Sequence, residues 1–248
     1  MKGAWIENLT WPEIAARIED ATVLVPIGAR AKEHGPALPM QTDYLVARAL
    51  CDGVAESLPV LVAPVVDFGY YPAFVEYPGS QHLRPETFMA VLHDVIDGLI
   101  RHKAKRIAIV NTGVSTEAPI TLVVREKYEQ TGVRIAVAHI RSLGASQRKL
   151  MVQKLGGHAD EAEASLILAI APALAHLDRA VEDYGNMPGE PETVFYLPSI
   201  FRNEPSAGPD YSVSGVRGDP RAATPEKGRA ILAAMVADLV DGLKKLGA

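Results

Sequence analysis

Four short runs of aliphatic and β-branched residues, separated by longer stretches of helical periodicity, restrict this chain to few folds. The runs are residues 22–27 (TVLVPI), 60–66 (VLVAPVV), 106–111 (RIAIVN) and 133–139 (VRIAVAH). None alternates apolar with polar residues over its length, as a strand with one wet face would. Continuous apolar runs of this length suit strands buried on both faces of a parallel sheet. Between and beyond them the spacing predicts helices over 10–18, 43–58, 85–100, 120–130, 160–171 and 225–243. The first has a Thr10 cap followed by Pro12 and Glu13 in its opening turn. In the second, Leu45, Ala49, Val54 and Leu58 fall on the apolar side.

Strands alternating with helices mean βαβ units, so the expected architecture is a single α/β domain over 1–248, a mainly parallel sheet covered by helices on both faces. A chain of 248 residues, 48% hydrophobic and 22% charged, can bury such a core without disulfides or metals. Cys51 is its only cysteine, which excludes an intrachain disulfide and fits a reducing, cytoplasmic setting. The net charge of -5 argues against nucleic-acid partners, and no apolar run is long enough to span a membrane. The stretch 184–224 is rich in Pro, Gly and Asn, has weak periodicity, and reads as a site- or interface-forming loop.

Ligands of open α/β sheets bind beyond the carboxyl ends of the strands, so polar residues just after strands are the functional candidates. After the first strand come Lys32, Glu33, His34 and, at the start of the next helix, Asp43. Imidazole with carboxylates is a ligand set for Zn, Mn or Fe. The same residues also suit a loop histidine and a helix-capping aspartate, and spacing alone leaves both readings open. Gly156–Gly157–His158 leads into a helix with Asp160, Glu161 and Glu163 in its first turns. There, too, the acids are either functional or simply favourable charge at a helix N-terminus. After the third strand, the loop 111–117 offers Ser115 and Thr116 hydroxyls. Tyr70, Tyr71 and His82 lie in a polar, aromatic loop region. No phosphate-binding loop, dinucleotide fingerprint or Gly-x-Ser-x-Gly elbow is present.

Taken together, Pro26–Gly28, Glu33–Pro39 with Thr42–Asp43, Tyr77–Ser80, His158–Ser165, and Gly218–Pro220 with Glu226–Gly228 resemble the motifs of the creatininase (creatinine amidohydrolase) family, in the family's order. The resemblance implies an α/β fold assembled as a homohexamer. It also implies hydrolysis of cyclic or linear amide C–N bonds with one or two divalent metals. It places a metal-binding histidine at His34, a bridging aspartate at Asp43, a proton-transferring histidine at His158 and the following acidic motif at Glu163.

The chain departs from the pattern at informative positions. Lys32 stands where the family has its first glutamate ligand, with Glu33 one position late. Gly113 stands where the family's loop carries a histidine, Ala37 replaces a second histidine, and Ala164 a threonine. A lysine can balance the carboxylate charge that a lost ion would leave. The expectation is therefore a hydrolase of a small amide, lactam or cyclic imide-like substrate with one divalent ion per chain (Zn, Mn or Fe) on His34, Asp43 and Glu163. His158, Lys32 and Glu33 would be catalytic, and Ser115, Thr116, Tyr70, Tyr71 and His82 would line the substrate pocket. The alternatives are a catalytically silent family member that binds a metabolite or partner, and a different reaction using Lys32 as base.

Overall fold

Five parallel strands form the sheet, in the order β1-β3-β2-β4-β5. They are β1 (Ala4–Trp5), β2 (Thr22–Ile27), β3 (Leu61–Val62), β4 (Arg106–Asn111) and β5 (Ile135–His139). The helices are α1 (Trp11–Ala15), α2 (Thr42–Ser57), α3 (Pro85–Arg101), α4 (Glu117–Thr131), α5 (Glu161–Ile170) and α6 (Pro225–Lys245). This computed structural model describes residues 2–185 and 212–247, so most of the loop read at 184–224 lies outside the described residues.

The central strand shows why both faces are covered. All six residues of β2 are buried. Leu24 packs into a core with Val46, Leu50 and Val54 of α2 and Ile231, Met235, Leu239 and Leu243 of α6. Val23, Val25 and Ile27 point the other way, against Phe88, Leu92 and Ile96 of α3 and Ile120 and Val123 of α4. Ala108 and Val110 of β4 join the first core, and Ile107 and Ile109 the second. The period of two in the strands and of four in α3 and α6 therefore meet at two hydrophobic layers. The result is a single α/β domain with a helix layer on each face.

Two local readings are corrected, and one strand has no reading at all. The run 60–66 forms a ladder only at Leu61–Val62, with an isolated bridge between Ile27 and Val66. Beyond Val62 only separate bonds join the two segments, among them Val66 N donating to the Pro26 carbonyl at 2.9 Å and Gly28 N to the Val66 carbonyl at 3.2 Å. Pro26 and Pro64 each lack an N–H to contribute to a regular ladder. The buried face of α2 is Val46, Ala47, Leu50, Cys51, Val54 and Ala55, leaving Leu45 and Ala49 only half-buried. The two-residue edge strand β1 carries no periodicity to read. It is fixed by tertiary contacts, among them Trp5 Nε1 donating to Asp52 Oδ1 at 2.6 Å.

Candidate active site

The carboxyl ends of β2 and β4 and the N-terminus of α5 converge. Gly28 ends β2 so close to α2 that a Cβ there would lie 2.5 Å from the Asp43 carbonyl oxygen, which leaves room for glycine alone. The loop from Gly28 to Gln41 then carries Lys32, Glu33 and His34 inward, and all three are buried. Asp43, in the first turn of α2, is buried opposite them. Asp160 caps α5 by accepting from Ala162 N at 2.9 Å and Glu163 N at 3.0 Å. Ala159 adopts a left-handed conformation (φ 50°), and this tight backward turn sets His158 beside Glu163.

Two groups of contacts define the chemistry. In the first, Lys32 Nζ forms a buried ion pair with Asp43 Oδ2 at 2.6 Å, while His34 Nε2 lies 3.1 Å from Asp43 Oδ1. Burial opposes ionisation of Asp43, but the Lys32 and His34 charges override it and hold the carboxyl well below its ordinary range. In the second, His158 Nε2 faces the Glu33 carbonyl at 2.9 Å and Glu33 Oε2 at 3.2 Å, and His158 Nδ1 lies 3.9 Å from Glu163 Oε2. Burial, helped by the Asp160 and Asp43 carboxylates, raises Glu163 to about 7 in the metal-free chain, against His158 and Lys32. Glu33 is itself fixed. Its carboxylate accepts from Gly35 N, and its N–H donates to Ser80 Oγ at 3.0 Å. Burial raises its pKa, but His158 and the Gly35 N–H lower it further.

His34, His158 and Glu163 each offer a ligand atom, and these atoms lie within 4.8 Å of one another. Each histidine has a ring nitrogen held by an oxygen acceptor, the kind of contact that orients metal-ligating imidazoles. For His34 that acceptor is the Lys32 carbonyl, 2.9 Å from Nδ1; for His158 it is Glu33. His158 Nδ1 and the Glu163 carboxylate lie 3.9 Å apart, a separation that an ion with bonds of about 2.0–2.2 Å spans. The residues present therefore fit one divalent ion of the Zn or Mn kind. Asp43 adjoins this cluster through His34 Nε2 at 3.1 Å, and its other oxygen pairs with Lys32.

A small cleft of about 10 Å³ opens beside the pair, lined by Lys32, Asp43, Tyr70, Tyr71, Ser115 and Thr116. Asn111 shapes its floor, accepting from Thr116 Oγ1 at 2.7 Å and donating to the Gly113 carbonyl at 2.7 Å. His82 stands behind this lining, its ring 6.3 Å from Tyr70 and 6.0 Å from Tyr71. One contributor has no sequence signal. Phe74 lies 4.4 Å from the His158 ring and 5.0 Å from Lys32 Nζ. Its proximity to the Tyr77–Ser80 motif is the only hint the sequence offers.

A parallel sheet with an imidazole–carboxylate cluster at its carboxyl edge places the chain among α/β proteins with a metal-competent site. The Creatininase family profile, described as creatinine amidohydrolase, matches residues 7–243, and the chain belongs to that family. Creatinine amidohydrolase of Pseudomonas putida is 27% identical over 273 residues, covering 98% of this chain and 97% of that protein. The mycofactocin precursor peptide peptidase of Mycobacterium tuberculosis is 29% identical over 231 residues, covering 88% and 83%. The solved structure of a manganese form of creatininase superposes with a TM-score of 0.82 at 26% identity, over 98% of each chain.

Proposed function

We propose that this chain is a one-metal hydrolase that cleaves the C–N bond of a small amide, lactam or cyclic imide-like molecule. The observation that carries the reading is the buried Lys32–Asp43 ion pair beside the His34–His158–Glu163 cluster. An ammonium on one side of Asp43 and a three-residue ligand set on the other make a site for one ion rather than two. That ion, held by His34, His158 and Glu163, would polarise a carbonyl and acidify a water. The chain's own groups supply the rest. Lys32 faces the cleft and donates to the substrate oxygen as it gains charge, a role in which one donor is commonly worth about 3–4 kcal/mol. Glu33 holds the His158 ring, Phe74 shields it from solvent, and Ser115, Thr116 and Tyr70 offer hydroxyls to the substrate. Membership of a family whose matched relatives are an amidohydrolase and a peptidase supports hydrolysis.

The assembly that goes with this reading is a homohexamer, which light scattering would check. The decisive experiment is metal analysis of protein purified without chelator, paired with turnover of an amide, lactam and cyclic imide panel. One ion per chain with metal-dependent turnover is expected. Absence of both metal and turnover would leave a binding protein instead.

A further inference from the structure

On the far side of the loop 112–116 from the cleft lies a larger groove. Gly113, Ser115 and Thr116 face the cleft, while Val114 faces the groove. The groove runs between the segment 140–157 and helices α5 and α6, and it reaches Glu163. It holds about 530 Å³, against about 10 Å³ for the cleft. Small-molecule sites usually occupy about 300–1,000 Å³. The cleft has room for little more than a water-sized group, whereas the groove is sized for the remainder of a longer molecule.

The lining says what that remainder is. Leu143, Met151, Leu155 and Met235 give the groove an apolar wall, and Leu155 is 55% exposed. Arg141, Arg148 and Lys154 add three cations, in a chain whose acids outnumber its Lys and Arg by 30 to 25. Arg141 is paired with Glu117, at 3.2 and 3.3 Å. Among the described residues no carboxylate pairs with exposed Arg148 or Lys154; the Arg148 guanidinium donates to the Arg141 carbonyl at 2.7 Å. The groove's own acids are committed elsewhere, Asp160 to the α5 cap and Glu163 to Ala159 N at 2.6 Å and the His158 side.

We propose that this groove receives the apolar, carboxylate-ended arm of an elongated amide substrate, with Arg148 and Lys154 recognising the anion and the scissile bond lying at Glu163. The placement rests on the hydrolase reading above. An exposed carboxylate–cation contact contributes little by itself, but two cations at the end of an apolar channel set the direction in which an amphipathic molecule enters.

The test uses 6-acetamidohexanoate and its neutral counterpart N-hexylacetamide, titrated calorimetrically into the full chain. The carboxylate probe is expected to bind about tenfold tighter, a difference of about 1.4 kcal/mol. Raising ionic strength from about 0.02 to about 0.3 M should close the gap, because exposed charges are screened. The double substitution Arg148→Gln with Lys154→Gln should abolish it, while Lys149→Gln, outside the groove lining, should not. Equal affinities, a gap that survives the double substitution, or no detectable binding of the carboxylate probe at millimolar concentration would overturn the groove assignment. Binding with the expected salt and residue dependence but no cleavage of any amide would leave the groove standing and remove the hydrolase reading. Amide turnover indifferent to the double substitution would do the reverse.

Discussion

Lys32 is a long, flexible cation in a position where solvent cannot reach it, and its side chain is only 8% exposed. Burying an ammonium is costly unless a counter-charge lies against it, and Asp43 at 2.6 Å supplies one. The substitution Lys32→Met keeps the length and the contact with Phe74 but leaves Asp43 buried with His34 alone. Breaking a buried pair in this way costs about 3–5 kcal/mol, against about 0–1 for an exposed pair. Lys32→Met is therefore expected to lower the denaturation midpoint clearly and to abolish turnover. Lys245→Met, which breaks the exposed pair with Asp241, serves as the control. An unchanged midpoint in Lys32→Met would mean that the ammonium does not pair with Asp43 in solution, and the charge-substitution argument would fall with it.

Among the elements, the contact between α5 and α6 explains the C-terminal motif that the site chemistry leaves unused. A Cβ on Gly228 would sit 1.8 Å from the Ser165 carbonyl oxygen, so the two helices approach at a point where only glycine fits. One residue earlier, Lys227 pairs with fully buried Glu161, whose other oxygen accepts from Val152 N and Gln153 N at 2.8 Å each. This arrangement ties the loop before His158 to the first turn of α5. Lys227→Met should strand the Glu161 charge, destabilise the chain by about 3 kcal/mol or more, and speed hydrogen exchange at the Val152 and Gln153 amides. Exchange at those amides matching the wild type would show that the lysine does not hold the loop. The glycine and lysine could be read as a motif but not as a contact, because pairing α5 with α6 requires the fold. For the same reason the strands β2 and β4 were legible from their unbroken apolar runs, whereas β1 was not. A helix end was legible where chemistry marks it, as at Asp160, which accepts from two backbone amides of the first turn. In the site, residue types and loop positions could be read in advance. That Lys32 would offset carboxylate charge there could be read too; which oxygen each ring nitrogen faces could not, since it depends on which way the rings turn. Phe74 went unread because, among the aromatics at 68–77, nothing in the sequence says which one meets the site.

At the scale of the whole molecule, the metal and the fold are linked through Glu163. In the metal-free chain its pKa is raised from 4.5 to about 7, chiefly by burial, so the folded state binds a proton that the unfolded state releases. The stability from that proton is fully present below about pH 4.5 and is lost as pH rises through about 7. Asp43 moves the opposite way: its contribution is present above the ordinary aspartate value and is lost only in stronger acid, outside this window. A metal ion reverses the balance at Glu163, since it requires the carboxylate and the free imidazole nitrogens. Chelator-treated protein should therefore lose melting temperature between pH 5.5 and 8 as the Glu163 proton departs, and added Zn or Mn should restore it. At an ion concentration about 100-fold above Kd the gain is about 2.7 kcal/mol, which for a chain of 248 residues corresponds to about 5–10 °C. The gain should be several-fold smaller at pH 5.5, where a proton competes for the Glu163 carboxylate. Glu163→Gln should flatten the pH dependence of the chelator-treated protein and remove most of the metal response. His93→Gln, on the surface beside Glu126, should leave both intact. A melting temperature indifferent to Zn and Mn at pH 8 would show that the cluster of His34, His158 and Glu163 holds no ion, and the one-metal account of the site would fall with it.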